Sequence, residues 1–577
     1  MKKFFEKHTI AKMLGIVIFI AIVLTWIIPT GTFNGTQLIK YDRIRIGFND
    51  LATVAYNSIY YGIDKIVYLL VLGGFYAVLS KTDGYRKLIS NIAKKIKGKE
   101  TLFVIVTSVV LTGLTSVTSS TFAMILFVPM LITIMLEAGL NKLTAFASTF
   151  GAILVGVLGA TFGTETLNIF NQYFSQTLTI ETGKGLTLVF RVIILGIATA
   201  LYNFFLYFAS KKALENKKKN EIDEDFKVEE VKSKNVKLFP IRIVLCLLFI
   251  VFILGFVNWD GIFKINTFNE LHNWLMDFSI GKDFKIFSYI LGTSAVPFGA
   301  FDLFTLSTVL FVFTILTAIL YSFKFDELLT TFGTGALKLI KPILGMVAVY
   351  SVFIIMYMSP IVPTAVNSIM KKDNIPNINI DYNGAGVAWF NIDTDEDRKP
   401  DYNLMNQDLD NDGKCDLNCD TNKDGYPDKN IDFNGNGKVD EYDESIVKQL
   451  DGGKSVLNLD TDGDGIPDVN VDTSHNLLTT MLAATFTNIF QVDLGYTGYS
   501  LGGFLVSGYG ATHLALVFLV FFAIYGLLQF FIPTSLILIF GLLYTKVEYK
   551  DWMKHIWRFV LGMLCVLLII FIFMSII

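Results

Sequence analysis

Long runs of apolar residues, separated by short polar segments, recur along the whole chain. They lie at roughly 10–29, 51–80, 102–137, 143–174, 186–209, 239–257, 303–323, 343–369, 477–510, 512–544 and 556–576. An apolar run of about 20 residues is long enough to cross a bilayer as an α-helix. The pattern therefore predicts an all-α polytopic membrane protein in which several of the longer runs are interrupted.

Two parts of the chain present these runs in the same order. Each begins with two helices and continues with a long run around a polar centre, 102–137 or 477–510, which predicts a helical hairpin. Each then has an interrupted helix, 143–174 or 512–544, and a final helix. The single helix 239–257 reverses the direction of the second part, so the order predicts two inverted-topology repeats, a plan typical of secondary transporters. Both fully crossing and re-entrant hairpins fit the lengths.

Lysine and arginine lie mainly on one side of this predicted topology. With the N-terminus inside, the inside segments hold 27 of them, whereas the outside loops 30–50, 163–185 and 258–302 hold seven. Because positive residues in short loops favour the cytoplasm, we expect a cytoplasmic N-terminus. Residues 371–475 and the C-terminus are then extracellular.

The charge of the chain separates an acidic segment from the apolar runs. The whole chain is 53% hydrophobic and only 17% charged, yet 25 of its 51 Asp and Glu residues fall within 371–475. Such an asymmetry indicates two kinds of domain. The predicted division is a first membrane repeat with its cytoplasmic linker (1–238), a linking helix (239–257), the start of the second repeat (258–370), a loop-rich insert (371–475) and the remainder of the second repeat (476–577).

Polar residues at the hairpin centres and helix breaks are the candidate substrate site. Irregular backbone at membrane depth is tolerated where it lines a cavity or is buried in protein, and its freed amides and carbonyls can bind a carboxylate or a cation. Packing glycines and self-bonded Ser and Thr hydroxyls are the structural alternative. The candidates are Ser116, Thr118, Ser119, Ser120, Thr161, Gly163, Thr164, Asn168, Asn488, Asp493, Thr497, Gln529, Pro533, Thr534 and Ser535.

The insert repeats aspartate with a spacing of twelve residues. Its units follow the pattern D-x-D/N-x-D/N-G-x-x-D, in which alternate oxygens point inward and glycine permits a sharp turn, as calcium loops require. A disordered acidic linker is the alternative. The predicted structural Ca²⁺ ligands are Asp408, Asp410, Asp412, Asp416, Asp420, Asn422, Asp424, Asp428, Asp432, Asn434, Asn436, Asp440, Asp443, Asp460, Asp462, Asp464, Asp468 and Asp472. Cys415 and Cys419 are expected as either a local disulfide or two free thiols.

Several motifs resemble those of known carriers. Three segments are similar to motifs of the YfcC-like carriers: 25–33 (TWIIPTGTF), the break 159–170 and 531–535 (FIPTS). These carriers belong to the ion-transporter superfamily, as do the anaerobic C4-dicarboxylate carriers. The resemblance implies coupled transport of carboxylates, amino acids or peptides, with Na⁺ or H⁺ as coupling ion, and a homodimer. The chain departs from the family pattern at two places. Ile169 replaces a proline, and the tip of the first hairpin lacks the acidic residues of the pattern. The insert resembles thrombospondin type 3 and dockerin calcium repeats.

These features together favour a secondary active transporter of small organic anions, amino acids or peptides. The alternative is a membrane-anchored calcium-binding adhesion or receptor protein, although an anchor needs no polar breaks. An enzyme is not expected, because the chain has no P-loop, zinc-ligand spacing or nucleophile elbow. The expected partners are the lipid bilayer, a small-molecule substrate and a cell-wall or surface partner of the insert, with no nucleic acid.

Overall fold

The structure is a computed structural model that describes most of the membrane portion and short pieces of the insert. For some of these residues only the backbone is described. The described residues are 9–34, 37–118, 120–162, 181–215, 226–229, 231, 236, 238–280, 284–370, 391–392, 402–403, 406–410, 413–419, 429–430, 438–439, 456–459, 469–472, 477–506 and 511–576.

Most described helices of the first part follow the predicted apolar runs; the exception, Asp83–Lys95, lies in segment 81–100, where a loop was predicted. The helices are α1 (Thr9–Ile27), α2 (Leu51–Tyr61), α3 (Ile63–Lys81), α4 (Asp83–Lys95), α5 (Glu100–Thr118), α6 (Val128–Glu137), α7 (Lys142–Phe146), α8 (Ala152–Leu158) and α9 (Glu181–Glu215). A 3-10 segment, Ala123–Phe127, precedes α6, and a π-helical turn, Ala147–Gly151, joins α7 to α8. Asn141 starts α7 by accepting a hydrogen bond from the amide of Thr144, as a helix N-cap does.

The later helices complete a second set. They are α10 (Phe239–Phe256), α11 (Trp259–Phe263), α12 (Thr267–Asp277), α13 (Ile286–Leu291), α14 (Leu303–Leu320), α15 (Phe325–Lys338), α16 (Ile340–Met358), α17 (Val362–Met370), α18 (Leu477–Phe490), α19 (Leu494–Val506), α20 (Ala511–Leu528), α21 (Leu536–Thr545) and α22 (Tyr549–Ile576). Asp302 caps α14 and Ser535 caps α21, each through its side-chain oxygen. The polar residues at the helix breaks thus start the helices that follow them.

Eight helices within the described residues are long and apolar enough to cross a membrane. They include α1, α3, α5, α10, α14, α16 and α22, together with the Thr187–Glu215 part of α9. The fold is therefore mostly helical and multi-pass. The shorter apolar helices, such as α18 and α20, belong to the predicted hairpins and interrupted helices.

Helices from the two parts pack against each other in matching pairs. Helix α3 packs on α15, while α16, which has the length of α3, packs on α2. In the same way α14 packs on α3, and α1 packs on α16. Helices α3 and α15 approach so closely that a Cβ atom on Gly73 would lie 2.6 Å from the carbonyl oxygen of Gly335. Small residues permit this kind of close crossing between membrane helices.

A small β-hairpin from the first part docks on the second. Strands β1 (Gly31–Asn34) and β2 (Gln37–Lys40) pair antiparallel directly after α1. The amide of Gly31 donates a hydrogen bond to Pro360, and the hydroxyl of Ser359 donates to the carbonyl of Ile44. The interruption between α16 and α17 is thereby held by backbone of the other part.

Several predicted boundaries differ from the structure. The charged pair Asp64–Lys65 predicts an interruption of the run 51–80, but the helix breaks at Gly62, and the run 343–369 is divided at 359–361, where Pro360 removes a helical donor. Segment 324–341, predicted as a loop, contains α15. Its apolar positions Phe325, Leu329 and Phe332 recur at helical spacing, so they form one face of an amphipathic helix that is too polar to cross the membrane.

The described pieces of the insert repeat one backbone geometry every twelve residues. Asn406, Asn418 and Asn430 all adopt the left-handed conformation, with φ between 50° and 54°. The amide of Asn406 donates to the carbonyl of Asn418, and that of Asn418 donates to Asn430. Short antiparallel pairs, β3 (Asn391–Ile392) with β4 (Tyr402–Asn403) and β5 (Val456–Leu459) with β6 (Val469–Asp472), lie on either side in sequence.

Candidate functional site

The first break lies where α8 ends and the first hairpin arm, α5, also ends. The hydroxyl of Ser116 donates to the carbonyl of Gly159 at 2.7 Å and lies 3.1 Å from the hydroxyl of Thr161. The amide of Thr161 donates back to the carbonyl of Ser116 at 2.9 Å. Ser116, Thr161 and Gly159 are all buried inside the protein. Two predicted site residues, Ser116 and Thr161, therefore join the hairpin arm to the break.

Arg191 holds the free carbonyls of this break, and the sequence analysis did not identify it. Its guanidinium donates to the carbonyls of Ala160 at 3.1 Å and Thr161 at 2.8 Å, and its Nε donates to Thr187 at 3.4 Å. The side chain is only 5% exposed. An arginine inside an apolar run was the available sequence signal, because charged residues at membrane depth are usually functional.

The second break has the same kind of contacts. Asn488, near the end of hairpin arm α18, donates its amide to the carbonyl of Phe521 on α20 at 3.2 Å. The hydroxyl of Thr534, in the break after α20, donates to the carbonyl of Ile489 at 2.8 Å. In both parts, a threonine of the break thus bonds backbone at the end of a hairpin arm, and an arm residue bonds the interrupted helix.

The free carbonyls of the second break are also held by the helix that follows. The indole of Trp552 on α22 donates to Phe530 at 2.7 Å, and the hydroxyl of Tyr549 donates to Phe531. These two donors are neutral, whereas Arg191, which holds the carbonyls of the first break, is charged. Each break therefore has its own donors from the next long helix, which fix its irregular backbone.

The two breaks approach each other where α8 crosses α20. A Cβ atom on Gly526 would lie only 2.4 Å from the Cα atom of Leu158, so the two helices touch backbone to backbone. Gln529, three residues after Gly526, and Asn488 are both nearly inaccessible to solvent. The Nε2 atom of Gln529 and the Oδ1 atom of Asn488 are buried and have no hydrogen-bond partner in the described part of the chain. Buried polar atoms without partners are rare, and each requires an explanation such as a bound water, ion or ligand.

The tip of the second hairpin forms a compact polar network. The side-chain oxygen of Gln491 accepts from Thr497 at 3.0 Å and from Ser500 at 3.3 Å. Asp493 accepts from the amide of Gly495 at 2.7 Å and from the hydroxyl of Tyr61, at the end of α2, at 2.8 Å. Asp493 and Thr497 therefore lie in this network rather than at either of the crossing breaks.

The remaining predicted residues are only partly placed. Thr118 bonds back to Leu114 and accepts from the amide of Ser120, which are the ordinary local contacts of a helix end. Ser535 caps α21, and Pro533 lies in the turn before it. Predicted site residues Ser119, Gly163, Thr164 and Asn168 lie outside the described residues.

A pair of adjacent charges lies beside the break at Gly62. Lys65 contacts Asp64 at 2.8 Å, and its ammonium lies 6.0 Å from the ring centre of Phe122 at the first hairpin tip. Tyr350 packs on the break itself, since a Cβ atom on Gly62 would lie 2.6 Å from its ring. Charges of both signs therefore lie beside the break at Gly62.

A cavity of about 1010 Å³ opens between the two parts, away from these residues. It is lined by the ends of α3, α15 and α21 and by residues 226–229 of the linker. Its basic residues are Lys81, Arg86, Lys227, Lys338, Lys341 and Lys546, and its acidic residues are Glu229, Asp326 and Glu327. Lysine and arginine outnumber acids here, so the cavity favours anions.

The linker is tied to the wall of this cavity by three contacts. Glu229 forms an ion pair with Arg86 at 2.7 Å, and the amide of Val228 donates to Glu137 at 3.2 Å. The ring of Phe226 packs edge-on against Tyr544, with ring centres 5.4 Å apart. None of the predicted substrate residues that the structure describes lines the cavity.

Three carboxylates of the insert come together. Oxygen atoms of Asp408, Asp410 and Asp416 lie within 4.8 Å of one another. Asp416 also accepts from the amide of Leu409 at 2.8 Å, and Asp408 accepts from Gly413 at 2.8 Å. Cys415 and Cys419 are joined in a disulfide, with Cα atoms 5.7 Å apart. The other predicted ligands lie outside the described residues, except Asp472, whose backbone alone is described.

The chain was compared with known proteins. No curated protein matches it. Among solved structures, the Alcanivorax borkumensis YdaH transporter is 10% identical, with 98% of this chain and 97% of that chain covered and a TM-score of 0.35, a score too low for any inference. A family model described as C4-dicarboxylate anaerobic carrier (DcuC) matches residues 8–371, well over half of the chain, and ends where the acidic insert begins. The chain therefore belongs to the DcuC family, and it is a multi-pass membrane transporter rather than an enzyme.

Proposed function

We propose that the chain is a secondary active transporter of C4-dicarboxylates, coupled to Na⁺ or H⁺. The substrate named for the family supports this proposal. The observation that carries it is the paired arrangement of the two breaks, in which Thr161 and Thr534 each bond the end of a hairpin arm. A membrane anchor or adhesion protein needs no such irregular backbone within its helices.

The substrate would bind where α8 and α20 cross. A dicarboxylate has four oxygen atoms, and the unpartnered amide of Gln529 is a hydrogen-bond donor suited to one of them. Freed backbone groups at the breaks would supply further contacts, as in other transporters with interrupted helices. The basic cavity beside α3 and α15 would raise the local concentration of dianions on one side of the membrane.

The two parts of the chain would be inverted repeats. If α3 is matched with α16, α2 with α15 and α1 with α14, the observed pairs correspond. The packing of α3 on α15 then matches that of α16 on α2, and the packing of α14 on α3 matches that of α1 on α16. This correspondence supports a pseudo-two-fold axis in the membrane plane, the arrangement that allows one site to face each side in turn. The domain boundaries predicted from the sequence belong to the same proposal.

Counterflow into proteoliposomes tests the transport function. Vesicles loaded with unlabelled succinate should accumulate labelled succinate or fumarate, and glutamine or a neutral dipeptide outside should not compete. Empty vesicles and vesicles with heat-denatured protein are the controls. Labelled uptake that is equal in protein-containing and empty vesicles, with every dicarboxylate and with either Na⁺ or a proton gradient present, would contradict the proposal.

The N-terminus and the basic cavity would face the cytoplasm. The excess of lysine and arginine in alternate loops supports this orientation. Two single-cysteine substitutions, Asn266→Cys and Lys94→Cys, should then differ in their accessibility from outside the cell. Each is made in a background in which Cys246 and Cys565 are replaced by serine. A membrane-impermeant maleimide should label the first in intact cells and the second only after permeabilisation. The opposite labelling pattern would reverse the orientation.

The insert would bind calcium as a repeating module. Two oxygens on opposite sides of a calcium ion lie about 4.8 Å apart, because each Ca–O distance is about 2.4 Å. The cluster of Asp408, Asp410 and Asp416 fits this separation. The twelve-residue repeat of left-handed asparagines at 406, 418 and 430 supports a ladder of similar loops.

Removing carboxylates from this cluster should weaken calcium binding without stopping transport. We expect calcium at ten times its dissociation constant to stabilise the wild-type protein by about 1.4 kcal/mol for each independent site. Asp410→Asn with Asp416→Asn should lower the number of ions bound, measured by calorimetry on the full chain. Asp260→Asn is the control, since Asp260 lies on the short helix α11. Unchanged stoichiometry in the double variant would contradict the site.

A further inference from the structure

We propose that Arg191 is the residue that makes the transporter select substrates with two negative charges. This inference rests on the proposed dicarboxylate transport and adds a specific role for one side chain. Arg191 lies in the Thr187–Glu215 membrane span and reaches the first break, where Thr161 is a candidate substrate residue. Its charge would act on a substrate held at the crossing of α8 and α20.

The position of Arg191 connects the two interrupted helices. On one side its guanidinium holds the carbonyls of Ala160 and Thr161. On the other side it lies 5.9 Å and 5.8 Å from the ring centres of Phe518 and Phe522 on α20. Asn488 bonds the carbonyl of Phe521, which lies between these two residues in sequence, so the charge packs on the same stretch of α20 that the second hairpin arm contacts.

The carbonyls at the breaks do not by themselves require a charged donor. In the second part the corresponding carbonyls, of Phe530 and Phe531, are held by the neutral donors Trp552 and Tyr549. Burying a positive charge instead is unfavourable by several kcal/mol unless an anion accompanies it. The structure therefore has a charge at the first break that hydrogen bonding to the carbonyls does not explain.

No described carboxylate accompanies this charge. Within the part of the chain that the structure describes, no salt bridge involves Arg191. Two aromatic rings at almost 6 Å compensate a cation only weakly. A dianionic substrate would supply the missing negative charge, and it would gain more from the arginine than a monoanion of the same size. Because of this difference in binding, the transporter would select dianions over monoanions of the same size.

Substrates that differ in one charge test the proposal. Succinate and its monoamide, succinamate, have nearly the same shape but carry two and one negative charges. In proteoliposomes, Arg191→Gln should raise the KM for succinate at least about tenfold more than that for succinamate. Arg191→Lys keeps the charge and should preserve the ratio of the two KM values, even if its Vmax falls. Lys211→Gln, which removes an exposed charge on the same helix, should leave both values unchanged.

The other outcomes distinguish a structural role from a selective one. Equal losses for both substrates in Arg191→Gln would overturn the proposal, because loss of a backbone contact affects every substrate alike. Glu165 follows the first break in the sequence and lies outside the described residues. Fully selective transport restored by combining Arg191→Gln with Glu165→Gln would also overturn the proposal, since the arginine would then serve to neutralise Glu165. If Arg191→Gln does not fold, Arg191→Lys decides, because a changed ratio of KM values in that variant contradicts a role for charge.

Failure of the proposed function would give a different result. Wild-type protein without any dicarboxylate transport would refute the function, and the role of Arg191 would then be read from thermal stability. Dianions such as succinate, malonate and sulfate should raise the melting temperature of the wild type more than monoanions such as succinamate do. Loss of this difference in Arg191→Gln supports the proposal, and an unchanged or absent difference overturns it.

Discussion

Replacing Gly526 with alanine should reduce transport at least tenfold and lower the yield of folded protein. The added Cβ atom would lie 2.4 Å from the Cα atom and 3.1 Å from the amide nitrogen of Leu158. Both are backbone atoms, so no rotation of a side chain relieves the overlap. Helices α8 and α20 would have to separate, and overpacking of this kind destabilises a protein by about 1–3 kcal/mol.

A second glycine on a membrane helix provides the control. A Cβ atom on Gly196, in α9, would meet nothing within 4 Å. Gly196→Ala should therefore be neutral or slightly stabilising, because alanine favours helix more than glycine does. Counterflow and the melting temperature in detergent should be measured for both variants. Similar behaviour of Gly526→Ala and Gly196→Ala would show that the two interrupted helices do not cross here.

The variant Asn488→Leu should lose transport by at least about tenfold while remaining folded. Asn488 is fully buried, and its Oδ1 atom has no partner in the described residues. Leucine has nearly the same shape, and the carbonyl of Phe521, which loses the amide of Asn488, keeps its hydrogen bond within helix α20, so the exchange should cost little stability. Since the amide of Asn488 contributes little to the stability of the protein, we expect that it binds the substrate.

Asn203 is a matched control for this variant. Its Nδ2 atom donates to the carbonyl of Thr199 in its own helix, and its Oδ1 atom is likewise buried without a partner in the described residues. It lies on α9 and none of its described contacts involves a break. Asn203→Leu should retain transport close to that of the wild type. Equal losses in the two variants, or a fall in the melting temperature that accounts for the loss in Asn488→Leu, would argue against a substrate role.

The membrane helices and their breaks follow closely from the sequence, for a physical reason. Apolar runs of bilayer length have few alternatives to helix, and glycine, proline and clustered hydroxyls weaken helices at identifiable positions. This reasoning selected Ser116, Thr161, Asn488 and Thr534, which the structure places at the breaks, and their role in substrate binding stays a prediction. Segment 324–341 was predicted wrongly because its polarity excluded a membrane span, although its apolar face had the spacing of the helix α15.

The contacts of Arg191 and Tyr61 could not be predicted from local patterns. Arg191 acts on Ala160, about 30 residues earlier, and packs on rings of α20, more than 300 residues later. Tyr61 donates to Asp493 across a similar distance along the chain. Contacts of this length depend on how whole helices cross, which is set by glycines such as Gly526 and not by any motif near the interacting residue.

A map of the protein with bound fumarate, obtained by electron cryo-microscopy, tests the central claim most directly. The account predicts ligand density at the crossing of α8 and α20, within hydrogen-bonding distance of Asn488 or Gln529 and close to Thr161. The same density should be absent from a map of Asn488→Leu prepared with the same ligand. Density confined to the basic cavity lined by Lys81 and Arg86, with the breaks empty in the wild type, would contradict the claim that the paired breaks are the substrate site.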